Sequence, residues 1–220
     1  MSFRINYKNL LLISGAAALL LANPAIAADE HPGMKAFQAG DYATAYKIWR
    51  PLADKGDANA ECNLGIMYQK GLGVDRDQAQ AFQLFQAAAD KGNAQAEYQL
   101  AQMYAKGWGV PQSYSSALMW TQKSAAAGDP DGENRMGWLY DEGYGVQKDV
   151  KQAVYYYRLA AAKGNADAAY SLGQAYEKGS GVHKDYAEAA KWLKLAATQG
   201  NSKAQEALVE LQQKDQLSKK

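Results

Sequence analysis

A chain of 220 residues with 24 Lys and Arg against 23 Asp and Glu is nearly neutral at pH 7, so no strong field draws it to nucleic acid or an anionic membrane surface. Its one cysteine, Cys62, excludes an internal disulfide, and stability has to come from packing. With 48% apolar residues, a chain of this length can bury roughly 70% of its surface, enough for a substantial core.

Residues 1–27 read as a secretory leader. Arg4 and Lys8 give the positive start, and residues 10–21 form an apolar run shorter than the about 20 residues that span a bilayer. Asn23 and Pro24 break the helix, and Ala25 and Ala27 are the small residues expected before a cut, so cleavage is expected after Ala27. The remaining chain would carry 22 basic and 23 acidic side chains, a formal −1. No cysteine stands at the cut to take a lipid, and no second apolar segment of spanning length occurs downstream. A periplasmic or secreted protein without membrane insertion is the expectation.

The next element is a short helical hairpin over 37–52, with Gly40, Asp41 and Tyr42 at its turn and Ala45, Ile48 and Trp49 on the core side of its second helix. It sits in a leading segment, 28–57, expected to serve as an N-terminal cap.

From residue 58 the chain repeats itself. Gly-x-Gly-Val occurs at Gly71, Gly107, Gly143 and Gly179, a period of 36 residues. A second marker keeps the same spacing: Gly56-Asp57, Gly92-Asn93, Gly128-Asp129, Gly164-Asn165 and Gly200-Asn201. Two markers locked to one period specify a repeat array over 58–201. Each Gly-Asx pair fits the left-handed end of one helix followed by the N-cap of the next, and Pro130 fits the first helical position after Asp129. Helix A of each copy is therefore expected to start at Ala58, Ala94, Pro130 and Ala166. Within it, Leu64, Gly65 and Tyr68 return as Leu100, Ala101 and Tyr104, as Met136, Gly137 and Tyr140, and as Leu172, Gly173 and Tyr176. This spacing sets large residues on one face and a small residue where a neighbouring helix comes close. After the Gly-x-Gly-Val turn, Asp77, Ser113, Asp149 and Asp185 are placed to cap helix B, which carries an alanine stripe and one aromatic or Leu per copy: Leu84, Trp120, Tyr156 and Trp192. Gly132, where other copies have Ala60, Ala96 and Ala168, and Pro111 with Ser113 in the second turn, predict looser packing in the middle copies.

The pattern A-x-x-x-L-G-x-x-Y-x-x-G-x-G-V-x-x-D-x-x-x-A, closing on A-A-x-x-G-[ND], resembles the Sel1-like repeat, a relative of the tetratricopeptide repeat, and covers nearly all of the chain beyond the leader. The resemblance implies an all-α fold, a right-handed α-solenoid of antiparallel helical hairpins, with helix A lining the concave side. It implies a scaffold or adaptor that binds a protein or peptide and has no catalytic residue, metal or cofactor. Cysteine-rich members of the family suggest an alternative, a β-lactam or peptidoglycan binder or hydrolase, although this chain lacks their paired cysteines; a secreted effector acting on a host protein is a third reading. After the array, Ala204, Ala207, Leu208 and Leu211 continue as one more helix, and the polar tail 212–220 ends the stacking. A monomer is the favoured state.

Residues with catalytic potential are few. His183 occupies a variable turn slot, and His31 would chelate copper only if cleavage fell after Ala28. Cys62 has no Cys or His neighbour in sequence, which makes a nucleophile of it unsupported. The informative positions are the helix A slots that differ between copies. By the phase of the repeat these are Cys62, Tyr98, Asn134 and Tyr170, then Ile66, Gln102, Trp138 and Gln174, with Arg135 and Ser171 beside them. Tyr98, Gln102, Asn134, Arg135, Trp138, Tyr170 and Gln174 are the candidate partner-binding set, because Trp, Tyr and Arg are the side chains that most often anchor interfaces.

Overall fold

A computed structural model describes residues 32–218, with side chains as far as Leu211. The leader assigned to 1–27, the cleavage position, His31 and the last residues of the polar tail lie outside the described residues. The described chain is helical, with α1 (Pro32–Gln38), α2 (Tyr42–Ala53), α3 (Ala58–Lys70), α4 (Gln78–Ala89), α5 (Ala94–Lys106), α6 (Tyr114–Ala126), α7 (Pro130–Glu142), α8 (Val150–Ala162), α9 (Ala166–Lys178), α10 (Tyr186–Thr198) and α11 (Ser202–Ser218).

The caps foreseen from the sequence set the helix boundaries. Asp57, Asn93, Asp129 and Asn165 each accept the backbone N–H three residues on, at 2.8–2.9 Å, and begin α3, α5, α7 and α9. Asp77, Ser113, Asp149 and Asp185 do the same for the even-numbered helices. The same residues close the turns: the backbone N–H of Asp77, Ser113, Asp149 and Asp185 donates to the carbonyl of Tyr68, Tyr104, Tyr140 and Tyr176 at 2.9–3.0 Å. Ser113 thus makes the same turn as its aspartate counterparts, so the second copy is not loosened there.

Helices pair most intimately within each repeat, α3 with α4, α5 with α6, α7 with α8 and α9 with α10, and each pair then packs on the next helix in sequence. Beyond these neighbours, α5 meets α7, α7 meets α9, and α9 meets α11. Contact between successive odd helices brings them closer together than the even ones, which puts the odd helices on the inner side of the curve. The result is an all-α solenoid of antiparallel hairpins, with α1–α2 at one end and α11 at the other.

Packing within and between copies depends on small residues at set positions, the first three examples lying between the two helices of one copy. A Cβ placed on Gly137 would lie 2.6 Å from the Tyr157 ring, one on Gly173 2.6 Å from Leu193, and Gly65 meets Phe85 at the same distance. The one copy with Ala101 in this slot has Thr121 where the others carry Phe85, Tyr157 and Leu193, so the added methyl on α5 is offset by a smaller side chain on α6. Gly132 follows the same logic and corrects the expectation of looseness: a Cβ there would collide with Ser124 Oγ and lie 2.9 Å from the Ala125 nitrogen. The slot of Ser124 holds alanine in the neighbouring copies (Ala88, Ala160), so glycine on one side answers a larger residue on the other. The second turn glycine joins copies together. Gly109, at φ 67°, has its Cα so close to the start of α4 that a Cβ would sit 2.6 Å from the Gln78 carbonyl carbon, and at this φ other residues are strained.

Candidate groove on the inner face

The inner face carries a hollow of about 500 Å³ spanning three odd helices. Tyr98 from α5, Asn134, Arg135 and Trp138 from α7, and Tyr170 from α9 all line it. These are five of the seven candidates, brought together because successive copies of one helix A slot stack side by side when the 36-residue period is translated along the solenoid.

Gln102 and Gln174 do not line the hollow; they stand one turn behind the tyrosines and hold them. Gln174 Nε2 donates to the Tyr170 hydroxyl at 2.9 Å, and Gln102 hydrogen-bonds the Tyr98 hydroxyl. The two pairs share an i, i+4 spacing, so each glutamine fixes the orientation of a phenol at the groove wall. Burial, with Asp131 next in effect, pushes the Tyr98 phenol up to about 12, so at neutral pH it stays protonated and can both donate and accept.

Arg135 and Trp138 form the centre. The guanidinium carbon lies 4.1 Å from the Trp138 ring centroid, and Tyr144, from the turn after α7, stacks on the same indole at 5.1 Å. Burial pulls the Arg135 guanidinium below its ordinary value, and among the described residues no carboxylate lies within ion-pairing distance of it. Trp138 is half-buried and packs against the cluster of Ala125, Met136 and Leu139, so indole removal takes packing with it.

Cys62 occupies the same slot as Tyr98 and Tyr170 but does not reach the groove. It is 1% exposed, its thiol directed to Gln95 Oε1 at 3.7 Å, because a short side chain in this slot ends inside the α4–α5 contact where a tyrosine extends past it. Burial pushes the thiol up to about 12, which removes it from nucleophilic chemistry at neutral pH. Ile66 likewise packs on the core shared by the first and second repeats, and His183 is exposed in its turn.

Several groove residues escaped the sequence reading. Tyr157 enters from α8, passing over Gly137, and Ser202 and Lys203 enter from α11. Tyr144 was legible as the variable residue of Gly-x-Gly-Val, where other copies have Leu72, Trp108 and Ser180, but its stacking on Trp138 required the turn geometry.

The Sel1 repeat model matches at 58–93, 94–129, 130–165 and 166–201. No curated protein matches the chain. Among solved structures, a Sel1 repeat protein from Oxalobacter formigenes is 36% identical with a TM-score of 0.69, over 77% of this chain and 71% of the other. A protective antigen of uropathogenic Escherichia coli with an SLR fold is 32% identical with a TM-score of 0.67; it aligns with 80% of this chain, which spans 38% of the antigen. An immunity protein from Pseudomonas aeruginosa is 28% identical with a TM-score of 0.55, over 73% of this chain and 60% of that one.

Proposed function

The chain belongs to the Sel1 repeat family, whose repeats are protein-interaction modules, and on that premise we propose that it is a non-catalytic adaptor of the bacterial periplasm or cell envelope that holds a protein or peptide in its inner groove. The observation that carries this reading is the unpaired, partly desolvated Arg135 set over Trp138 in a tyrosine-walled hollow. Such a group gains when a partner supplies acceptors and covers the indole. The glutamine-braced tyrosines support it further, since a wall held in place before binding loses less entropy on binding.

A photo-crosslinking amino acid at position 170 in the intact cell tests the groove. It is expected to trap one discrete partner, while the same group at Gln83, exposed on α4, traps none. Purified Arg135→Gln with Tyr98→Phe, which removes the charge and one hydroxyl, is then expected to bind that partner at least tenfold more weakly, about 1.4 kcal/mol, with a nearly unchanged melting temperature. Equal crosslinking from both faces, or full affinity in the double variant, removes the groove assignment. The apolar run and the small residues Ala25 and Ala27 support export. Intact-mass measurement of the protein from the periplasmic or extracellular fraction is expected to show a chain beginning at Ala28, and an uncleaved cytoplasmic species rejects export.

A further inference from the structure

Away from the groove, the first and third repeats bury the same ion pair. Near the start of helix A, Glu61 and Glu133 are 6% and 2% exposed, and each meets a lysine from the end of its own helix B: Lys91 Nζ on Glu61 Oε1 and Lys163 Nζ on Glu133 Oε1, both at 2.6 Å. Lys163 also donates at 2.8 Å to the carbonyl of Gly128, the residue that closes the preceding repeat. In the fourth repeat both places change together, to Ala169 and Gln199.

The second repeat keeps the acid and lacks the base. Glu97 is 7% exposed, and its Oε2 is buried without a partner as in Glu61 and Glu133, but its Oε1 lacks the lysine that the other two hold, because the lysine position is Ala127. The seat itself is preserved. Gly56, Gly92 and Gly128 have φ of 85°, 79° and 85°, so the closing turn keeps one geometry. A Cβ on Gly56 or Gly128 would meet the lysine Nζ at 3.3 or 3.1 Å, whereas one on Gly92 would meet nothing within 4 Å. The nearest cation on the facing helix, Lys123, lies over the Trp120 ring at 4.1 Å and forms no ion pair with Glu97.

We propose that the Glu97 carboxylate and the Gly92 carbonyl form a preorganised seat for a primary ammonium group supplied from outside the chain, the side chain of a lysine on a bound protein. The third repeat is its template, where one carboxylate oxygen and one carbonyl accept two N–H bonds from a compact cation, and the first repeat repeats the carboxylate half. The route in is open, because the Lys91 and Lys163 side chains remain 40% and 35% exposed while their ammonium groups reach the acid. Burial raises the Glu97 carboxyl above its ordinary value, with the Lys123 charge opposing, so the acid is held without a matched countercharge and an arriving ammonium gains what the internal lysines already have.

Titration of the isotopically labelled full chain with Nα-acetyl-lysine amide, at ionic strength held constant with KCl, tests the seat through the Glu97 carboxyl carbon and the Gly92 amide. The expected result is a saturable shift of both signals at millimolar concentrations and a fall in the Glu97 pKa. Glu97→Gln should weaken binding at least tenfold at the Gly92 signal. Ala127→Lys should abolish the response, because an internal ammonium then fills the place, and Nζ-acetylation of the probe should abolish it too. An equal response to KCl alone, an undiminished response in Ala127→Lys, or no shift in the parent chain overturns the proposal. None of these outcomes bears on the groove, whose residues lie on other slots.

Discussion

Trp120→Ala should unfold the middle of the array first, at a cost of about 3–5 kcal/mol. Trp120 is 6% exposed, buried with Phe85, Leu100 and Met103 where the first and second repeats join, and the Lys123 ammonium covers its ring. A void here removes contacts that the solenoid cannot replace, because each repeat touches only its neighbours along the chain. The loss should therefore appear as a lower urea midpoint and also as a broken transition, with the two flanks of the array exchanging amide hydrogens at different free energies. A single cooperative transition within about 1 kcal/mol of the parent would show that Trp120 is not a junction residue. Gln83→Ala, on the exposed side of α4, is the matched control and should change little.

Asp129→Asn should stabilise the protein above neutral pH and remove part of its pH dependence. Burial is the main cause that lifts the Asp129 carboxyl from 3.8 to about 6, and the neighbouring Asp131 adds to it, against the cap bond from the Gly132 N–H at 2.8 Å. A carboxyl whose folded value lies above its unfolded value contributes stability that is complete below about pH 4 and is lost as pH rises through about 6. At pH 7.5 the ionised form then weighs against folding by up to about 3 kcal/mol. Asparagine keeps the capping oxygen, as it does in Asn93, Asn165 and Asn201, and those residues use the spare Nδ2 to reach Asn59, Asp131 and Asp167 at 2.7–2.9 Å, each at the start of the preceding odd-numbered helix. The same donor at 129 would face Gln95, the matching position one copy earlier. The expected gain is about 1–3 kcal/mol at pH 7.5, shrinking toward zero at pH 4, measured by urea unfolding across that range. A variant that loses stability at pH 7.5, or gains equally at both ends, would show that the capping charge outweighs desolvation.

Local geometry and its period were legible in the residues alone. Helix starts at Ala58, Ala94, Pro130 and Ala166, their caps, and the left-handed glycines arise from interactions within a few residues, and the period then carries them from copy to copy. The identity of the inner face was legible for the same reason, since one helical phase repeated every 36 residues presents the same slots. Side-chain reach was not. The slot that puts Tyr98 and Tyr170 on the groove wall buries Cys62, and Gln102 and Gln174 turn out to brace the phenols. Packing in three dimensions settled which residues balance one another between elements: Gly132 against Ser124, Tyr144 and Arg135 about Trp138, and Glu97 beside a lysine place that holds Ala127. Each of these depends on the distance between side chains from separate elements, and such distances are fixed by volume and turn geometry, which a pattern of residue types does not encode.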